Sequence, residues 1–341
     1  MKLAVNTIHN MDCLAGLKML DDNSIDCCVT SPPYYQMRDY GVQGQIGLEK
    51  MPDEYVQKLV EVFAEVKRVL KPTGTMWLNI GDCYAGSGGM GSFIDSKAKK
   101  GMIVIKQYSR HKTYGKIKPK DLMGIPWTLA FALRDDGWYL RQDIIWHKPN
   151  PLPESVRDRC TKAHEYIFLL AKSPKYYYDY EAMLEPATGY DGRKDTRMKG
   201  SKKYSQEVVP GQRPHTFATR GHERWKFKNL RDKGQPLHTM HLKRLEGEEY
   251  LSPVRNKRSV WTVPTQPFKG AHFAVFPLAL ITPCILAGCP VGGIVLDPFM
   301  GASTTALAAL QNNRNFIGFE LNPEYVKIAE ERLQNVQLRM V

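Results

Sequence analysis

Two segments of this chain carry residue types that can do chemistry together: Thr30-Ser31-Pro32-Pro33-Tyr34 early on, and Asp297-Pro298-Phe299-Met300-Gly301-Ala302-Ser303-Thr304-Thr305 far downstream. The first puts a hydroxyl, two locked backbone units and an aromatic ring directly after the apolar run Ile25–Val29. Proline holds φ at about −65° and keeps the preceding residue out of the helical region, so Pro32-Pro33 forces a stiff, extended exit from a strand. Such an exit holds a carbonyl and a ring in fixed positions. Alone, it also reads as a Pro-rich turn with a solvent-edge tyrosine. The second segment follows Gly293-Ile294-Val295-Leu296, carries Gly301 in a tight turn and opens a helix at Thr304-Thr305. A strand, a glycine-bearing turn and a helix N-terminus are how α/β folds bring backbone amides against a cofactor. Asp297 can accept from an ammonium or a hydroxyl. Roughly 20 residues on, Phe316-Ile317-Gly318-Phe319-Glu320 ends a second strand with an acid, where a ribose hydroxyl pair needs an acceptor. The turn is not G-x-G-x-x-G, so a cofactor with adenosine and an amino-acid group suits it better than a dinucleotide. Singly, Asp297 reads as a helix cap and Glu320 as an exposed strand end; their coincidence with two strands makes the site.

The elements that must position these residues alternate in type. Ile25–Val29 reads as a strand, Tyr55–Leu70 as a helix with Val56, Leu59, Val60, Phe63, Val66 and Leu70 on its apolar stripe, and Thr75–Ile80 as a strand. Pro72 and Gly74 end that helix. Ile125–Leu133 predicts a helix, Tyr139–Trp146 and Tyr166–Ala171 strands. The C-terminal part gives strand Gly293–Leu296, helix Thr304–Gln311, strand Asn315–Glu320 and helix Pro323–Val336. The alternation implies parallel β/α units. Two stretches break it, Cys83–Lys120 and Glu185–Arg258, both polar, basic and poor in periodicity. The chain is therefore expected to divide into an α/β part at 1–83, a basic loop insertion at 84–120, more α/β at 121–184, an inserted region at 185–257 and a cofactor-binding α/β part at 258–341.

Charge follows the same division. The 341 residues carry a net charge of +13. Residues 93–120 hold nine Lys/Arg against Asp95 alone, and residues 190–260 hold 18 against eight acids, so the rest of the chain is slightly acidic. An acidic scaffold with two basic blocks reads as a polyanion binder, the plainer alternative being a solvated lysine-rich surface. Seven cysteines without a C-x-x-C spacing give neither a zinc pattern nor a disulfide framework. They read as reduced, buried residues of a cytoplasmic protein, and no apolar stretch is long enough for a signal peptide or a membrane span.

Together, the two segments resemble the DNA amino-methyltransferases, in the beta group whose catalytic motif precedes the cofactor motif. Gly74–Asp82, Ile144–Pro151, Arg258-Ser259-Val260-Trp261 and His272–Pro277 are similar to further blocks of that family. The resemblance implies a three-layer Rossmann-like α/β fold, a mostly parallel seven-stranded sheet in circularly permuted order, and a basic target-recognition region at 185–257. It implies S-adenosylmethionine as cofactor and double-stranded DNA as partner, and leaves room for a homodimer and a cognate restriction endonuclease. By resemblance, Phe276 and Pro277 wall the methionine end of the cofactor, Asp297, Pro298, Phe299, Gly301, Ser303 and Thr304 form its turn with Thr30 alongside, Glu320 holds the ribose, and Asp12 reaches the adenine amino group. The usual G-S-G-T-T is here Gly301-Ala302-Ser303-Thr304-Thr305, with a side chain at 303 where the family commonly has none.

The chemistry needs this catalytic motif. An exocyclic amine conjugated with its base is a poor nucleophile. Accepting its protons on the Ser31 hydroxyl oxygen and the Pro32 carbonyl, with Pro33 stiffening the turn, favours a tetrahedral nitrogen aimed at the sulfonium methyl. Positioning then does most of the catalysis, without a covalent intermediate. Tyr34 stacks on a base extruded from the duplex. Serine at the first position, rather than Asp or Asn, resembles enzymes that make N4-methylcytosine; adenine N6 is the alternative. No cysteine nucleophile sits in the loop, and Pro283-Cys284 lies in an apolar stretch that reads as core. Trp146-His147-Lys148 ends a strand where it would shape the base pocket, or is an interior Trp beside a surface pair. Arg193, Arg197, Arg213, Arg220, Arg224, Lys226, Lys228 and Arg231, with His215, His222 and Trp225 interleaved, offer phosphate and guanine contacts. The remaining rivals are a catalytically silent nucleic-acid-binding protein and a small-molecule methyltransferase or nucleotide-dependent oxidoreductase. A DNA binder with these basic blocks should lose affinity steeply as salt rises, measured by titrating labelled duplex; salt-insensitive activity would favour the small-molecule reading.

Overall fold

A computed structural model describes residues 3–86, 114–186, 254–266 and 276–337. Apolar residues saturate the central strands, as expected of a sheet covered on both faces. Strand β2 (Ile25–Thr30) and residues 74–80 of β3 (Leu70–Ile80) are buried but for Asp26. Side chains alternate faces along each strand. Met76, Leu78 and Ile80 thus pack into one apolar core, Trp77 into another.

Helices fill both sides. The first core takes α1 (Cys13–Lys18), α2 (Pro52–Val69) and α3 (Ile125–Asp135). The second takes α4 (Leu278–Gly288), α5 (Thr304–Gln311) and α6 (Pro323–Gln337). The result is three layers with the sheet in the middle. Helix α4 is apolar nearly all round, so periodicity could not separate it from a buried strand. Cys284, on α4, is 1% exposed and packs in the core, as its apolar setting in the sequence indicates.

The sheet order is β1-β10-β9-β2-β3-β5-β4-β8, with β1 at Thr7–Asn10, β4 at Tyr139–His147, β5 at His164–Ala171, β8 at Val260–Thr262, β9 at Ile294–Asp297 and β10 at Asn315–Glu320. Strands β1, β10, β9, β2 and β3 are parallel; β5 runs antiparallel between β3 and β4. Among the described residues the sheet has eight strands, one more than the seven expected. The added strand, β8, is a three-residue edge beside β4, too short to show a period in sequence. Permutation is visible in the pairing: Cys28 of β2 lies opposite Leu296 of β9.

Met1–Met183 with Arg258–Val341 form one compact unit, and Leu184–Lys257 a second. In the second, β6 (Leu184–Pro186) pairs antiparallel with β7 (Val254–Asn256), and Arg255 bonds Glu185 at 3.0 Å. Most of the basic insertion, at 87–113, and of the expected target-recognition region, at 187–253, lies outside the described residues, as do the arginines, lysines, histidines and tryptophan named there.

Helix α1 sits on β10 with no room to spare. A Cβ on Gly16 would lie 2.4 Å from the ring of Phe319, which is fully buried. Gly→Ala in a helix ordinarily gains about 1 kcal/mol, whereas overpacking costs about 1–3 kcal/mol. Gly16→Ala is therefore expected to lower stability by up to about 2 kcal/mol, read from urea unfolding; a more stable variant would contradict this packing.

Candidate active site

Because five neighbouring strands are parallel, their carboxyl ends share one edge, and the motif residues stand there in a row. Asp12 follows β1, Glu320 ends β10, Asp297 ends β9, and Thr30 ends β2 and leads into Ser31–Tyr34. Helix α4 returns to the same edge. Its last residue, Gly288, packs on Thr75 and Cys27 near the strands' amino ends, so its start, Phe276-Pro277, lies towards their carboxyl ends.

Asp297 ties the edge together. It is 1% exposed, and its carboxylate accepts from the Thr30 hydroxyl at 2.6 Å, the Thr305 hydroxyl at 2.6 Å and the Phe299 amide at 3.0 Å. Those bonds join β2, the turn after β9 and the first turn of α5. Thr30 is itself fully buried, so its side chain serves by fixing Asp297. Pro298 is buried, and the Phe299 ring packs edge-on against Phe63. Burial pushes the Asp297 carboxyl up to about 6 against the three donors.

Glu320 works the same way one strand over. Its carboxylate accepts from the amides of Gly301 at 2.9 Å and Asn322 at 2.8 Å, tying β10 to the turn after β9. Burial raises its pKa, opposed by those amides. Asp12 is exposed and caps α1, accepting from the Ala15 amide at 2.9 Å. Ser303, where a side chain was unexpected, takes the left-handed conformation at φ +63°, the region glycine occupies without strain. It is fully buried and its hydroxyl bonds the Ala329 carbonyl of α6. Arg332 of α6 donates to the Ala302 carbonyl at 2.7 Å and to the Thr304 hydroxyl at 2.8 Å. Ser303 and Thr304 thus anchor the back of the turn to the terminal helix.

At the other motif, Tyr55 donates to the Pro33 carbonyl at 2.8 Å, fixing the exit from β2. The Tyr34 ring lies against Gly81, where a Cβ would come within 2.7 Å of it. Its hydroxyl donates to Glu165 at 2.7 Å, lies 3.3 Å from the Asn79 amide oxygen, and accepts from Ser31 at 3.5 Å. Glu165 also pairs with Lys148, whose ammonium stands 4.3 Å from the centre of the Trp146 ring. Trp146 itself is interior, 4% exposed, its indole bonded to the Val263 carbonyl.

Sequence reasoning missed Glu165, Asn79 and Arg332. Glu165 precedes the apolar run Tyr166–Ala171 and reads there as a solvated end, and Asn79 sits inside the run Met76–Ile80 with no motif to mark it. Only the antiparallel direction of β5 brings its amino end to the carboxyl edge of the others. Arg332 looks like one more cation on an amphipathic helix.

The Asp297 bonds have a pH signature. Its folded pKa, about 6, lies above the ordinary 3.8, so the folded state holds the proton more tightly. Stability from this group is full below 3.8 and falls by about 3 kcal/mol as pH rises through 6. Thr305→Val removes one donor to the charged form. It should cost about 2 kcal/mol at pH 8 and clearly less at pH 5, by urea unfolding at both; an equal loss at both would refute this role for Thr305.

Comparison with known proteins gives the family of the chain. Residues 25–331 match the family described as DNA methylase, of the N6 and N4 methyltransferases. The chain is similar to Type II methyltransferase M.XycI of Xanthomonas campestris pv. cyanopsidis, 43% identical over 331 residues, 96% of this chain and 88% of that protein. It is 42% identical to M.SmaI of Serratia marcescens over 322 residues, 94% of this chain and 88% of the other. Among solved structures, the fold is similar to that of the PvuII DNA methyltransferase, cytosine-N4-specific, with a TM-score of 0.58 at 17% identity, covering 97% and 87% of the two chains. A putative DNA modification methylase of Thermus thermophilus, complexed with S-adenosyl-L-methionine, superposes at 0.53 with 21% identity, covering 95% and 91%. The chain belongs to the N6/N4 DNA methylase family and is a DNA methyltransferase.

Proposed function

We propose that this enzyme moves a methyl group from S-adenosylmethionine to the N4 amine of a cytosine turned out of duplex DNA. The observation that carries the reading is a serine hydroxyl, Ser31, at the first position of the S-P-P-Y turn, fixed at the strand edge by the Thr30–Asp297 bond.

The edge fits such a cofactor by its donor and acceptor set. Carboxylates at Asp12 and Glu320 follow paired strand ends, Asn10 lying opposite Glu320, where an amino group and a hydroxyl pair need acceptors. An ionised carboxylate offers about four lone-pair sites, so Glu320 keeps acceptor capacity beyond its two amide bonds. Asp297 has little left after three bonds, and acts by shaping the turn of Pro298, Phe299 and Gly301. Phe276 and Pro277 close the methionine end. When bound, the cofactor supplies an electrophilic methyl on a positively charged sulfur.

The chain's residues do the rest by position. Ser31 and the Pro32 carbonyl accept from the amine and turn its lone pair out of conjugation. Tyr34, held by its hydroxyl, offers its ring to the extruded base. The region at 185–257 reads the DNA site and the basic insertion holds its backbone. Adenine N6 is the second reading, since the turn accepts from either exocyclic amine. A Type II methyltransferase implies a restriction endonuclease as counterpart.

Digesting DNA methylated by the protein to nucleosides and weighing them should give N4-methylcytosine; N6-methyladenine alone would overturn the cytosine reading. Ser31→Ala should slow transfer by about 100-fold while cofactor affinity by calorimetry stays within a few-fold; wild-type turnover would remove Ser31 from the mechanism.

A further inference from the structure

The reaction must dispose of a proton, and the S-P-P-Y turn holds no group that can keep one. As the amine nitrogen takes the methyl, the electron pair of the broken carbon–sulfur bond stays on sulfur. The nitrogen then carries one hydrogen too many. A serine hydroxyl can accept a hydrogen bond but cannot hold an added proton near neutral pH. Behind Ser31, however, the hydrogen bonds all point one way: Ser31 donates to the Tyr34 hydroxyl at 3.5 Å, and Tyr34 donates to Glu165 at 2.7 Å.

We propose that Glu165 is the terminal acceptor of the proton lost by the target amine, reached through the hydroxyls of Ser31 and Tyr34. The proposal rests on the assignment of Ser31 to the amine and holds for either base. The nitrogen proton passes to the Ser31 oxygen, the Ser31 proton to the Tyr34 oxygen, and the Tyr34 proton to Glu165. Each hydroxyl gains a proton as it loses one, so neither becomes charged. The methylated base leaves neutral, and Glu165 ends as the carboxylic acid until it releases the proton to water.

Several features build this path. Burial, and then the Glu165 charge, hold the Tyr34 phenol well above its ordinary range, so transfer goes through it rather than stopping there as tyrosinate. Lys148 pairs with the far oxygen of Glu165, leaving the near one to Tyr34. Asn79 donates to the Tyr166 carbonyl at 3.0 Å and lies 3.4 Å from the same Glu165 oxygen, holding it on the pocket side. Gly81 lets the Tyr34 ring lie flush on the strand end. The Ser31–Tyr34 bond is long, as catalytic hydrogen bonds often are without substrate.

The test uses the full-length protein, tritium-labelled S-adenosylmethionine and genomic DNA from a modification-free host, under single turnover. Glu165→Gln keeps an acceptor for Tyr34 but no proton site. It should slow transfer by about 100-fold while cofactor and DNA affinities stay within about twofold, and Glu165→Asp should recover part of the rate. Tyr34→Phe breaks the path while keeping the ring, and the double variant should be no slower than the slower single one. Wild-type single-turnover rate in folded Glu165→Gln, or in Tyr34→Phe, overturns the relay. So does a loss that tracks weakened cofactor or DNA binding. Nucleoside analysis of the wild-type product separates the two claims: methyladenine there would overturn the cytosine reading, and the Glu165→Gln rate in the same reaction would still decide the relay.

Discussion

One buried carboxylate holds the two halves of this active site together. Asp297 accepts from Thr30, Phe299 and Thr305, and so joins the strand that carries the S-P-P-Y turn to the turn after β9 and the helix that follows it. The chain reaches those segments near its opposite ends, and nothing covalent aligns them. Taking a carboxylate out of water is costly, and the position persists because three donors converge on it. The raised pKa of Asp297 records the imbalance that remains. Its neighbour Glu320 repeats the device between β10 and the same turn.

This scheme explains why the turn tolerates Ser303. A left-handed residue with a side chain is strained in isolation, by about 1 kcal/mol or more. Here the side chain is buried and bonded to Ala329, and Arg332 grips the carbonyl and hydroxyl on either side. The terminal helix thereby compensates for the missing glycine. The turn's shape is set from behind, by groups that need not touch a ligand.

The S-P-P-Y side of the edge is built differently. Its polar groups come from β3, from the antiparallel strand β5 and from the residues just after β2 and β4, and they satisfy each other: Tyr34 with Glu165, Glu165 with Lys148, Asn79 with the Tyr166 carbonyl. Such a network in a partly buried pocket fixes side-chain positions more firmly than any one bond in it. Positioning is what methyl transfer to a weakly nucleophilic amine demands most.

Much of this was legible in the sequence, because strands of a covered sheet and helices with one apolar stripe announce themselves by period. Thr304–Gln311 and Asn315–Glu320 are where the residue pattern puts them, and β2 deviates only at its end, whereas β3 starts at Leu70 rather than Thr75 and takes in Pro72 and Gly74. Strand β8 and helix α4 were not legible, the first being three residues long and the second lacking a polar face. The motifs, their order and their cofactor-like spacing were likewise properties of the sequence alone, since turns and strand ends are local. Which groups meet across the edge was not, since that depends on strand direction and neighbour. Glu165 enters the site because β5 runs backwards, and Thr30 meets Asp297 because β2 and β9 are neighbours. Sequence determined what each segment is; only packing into one sheet decided which side chains answer one another.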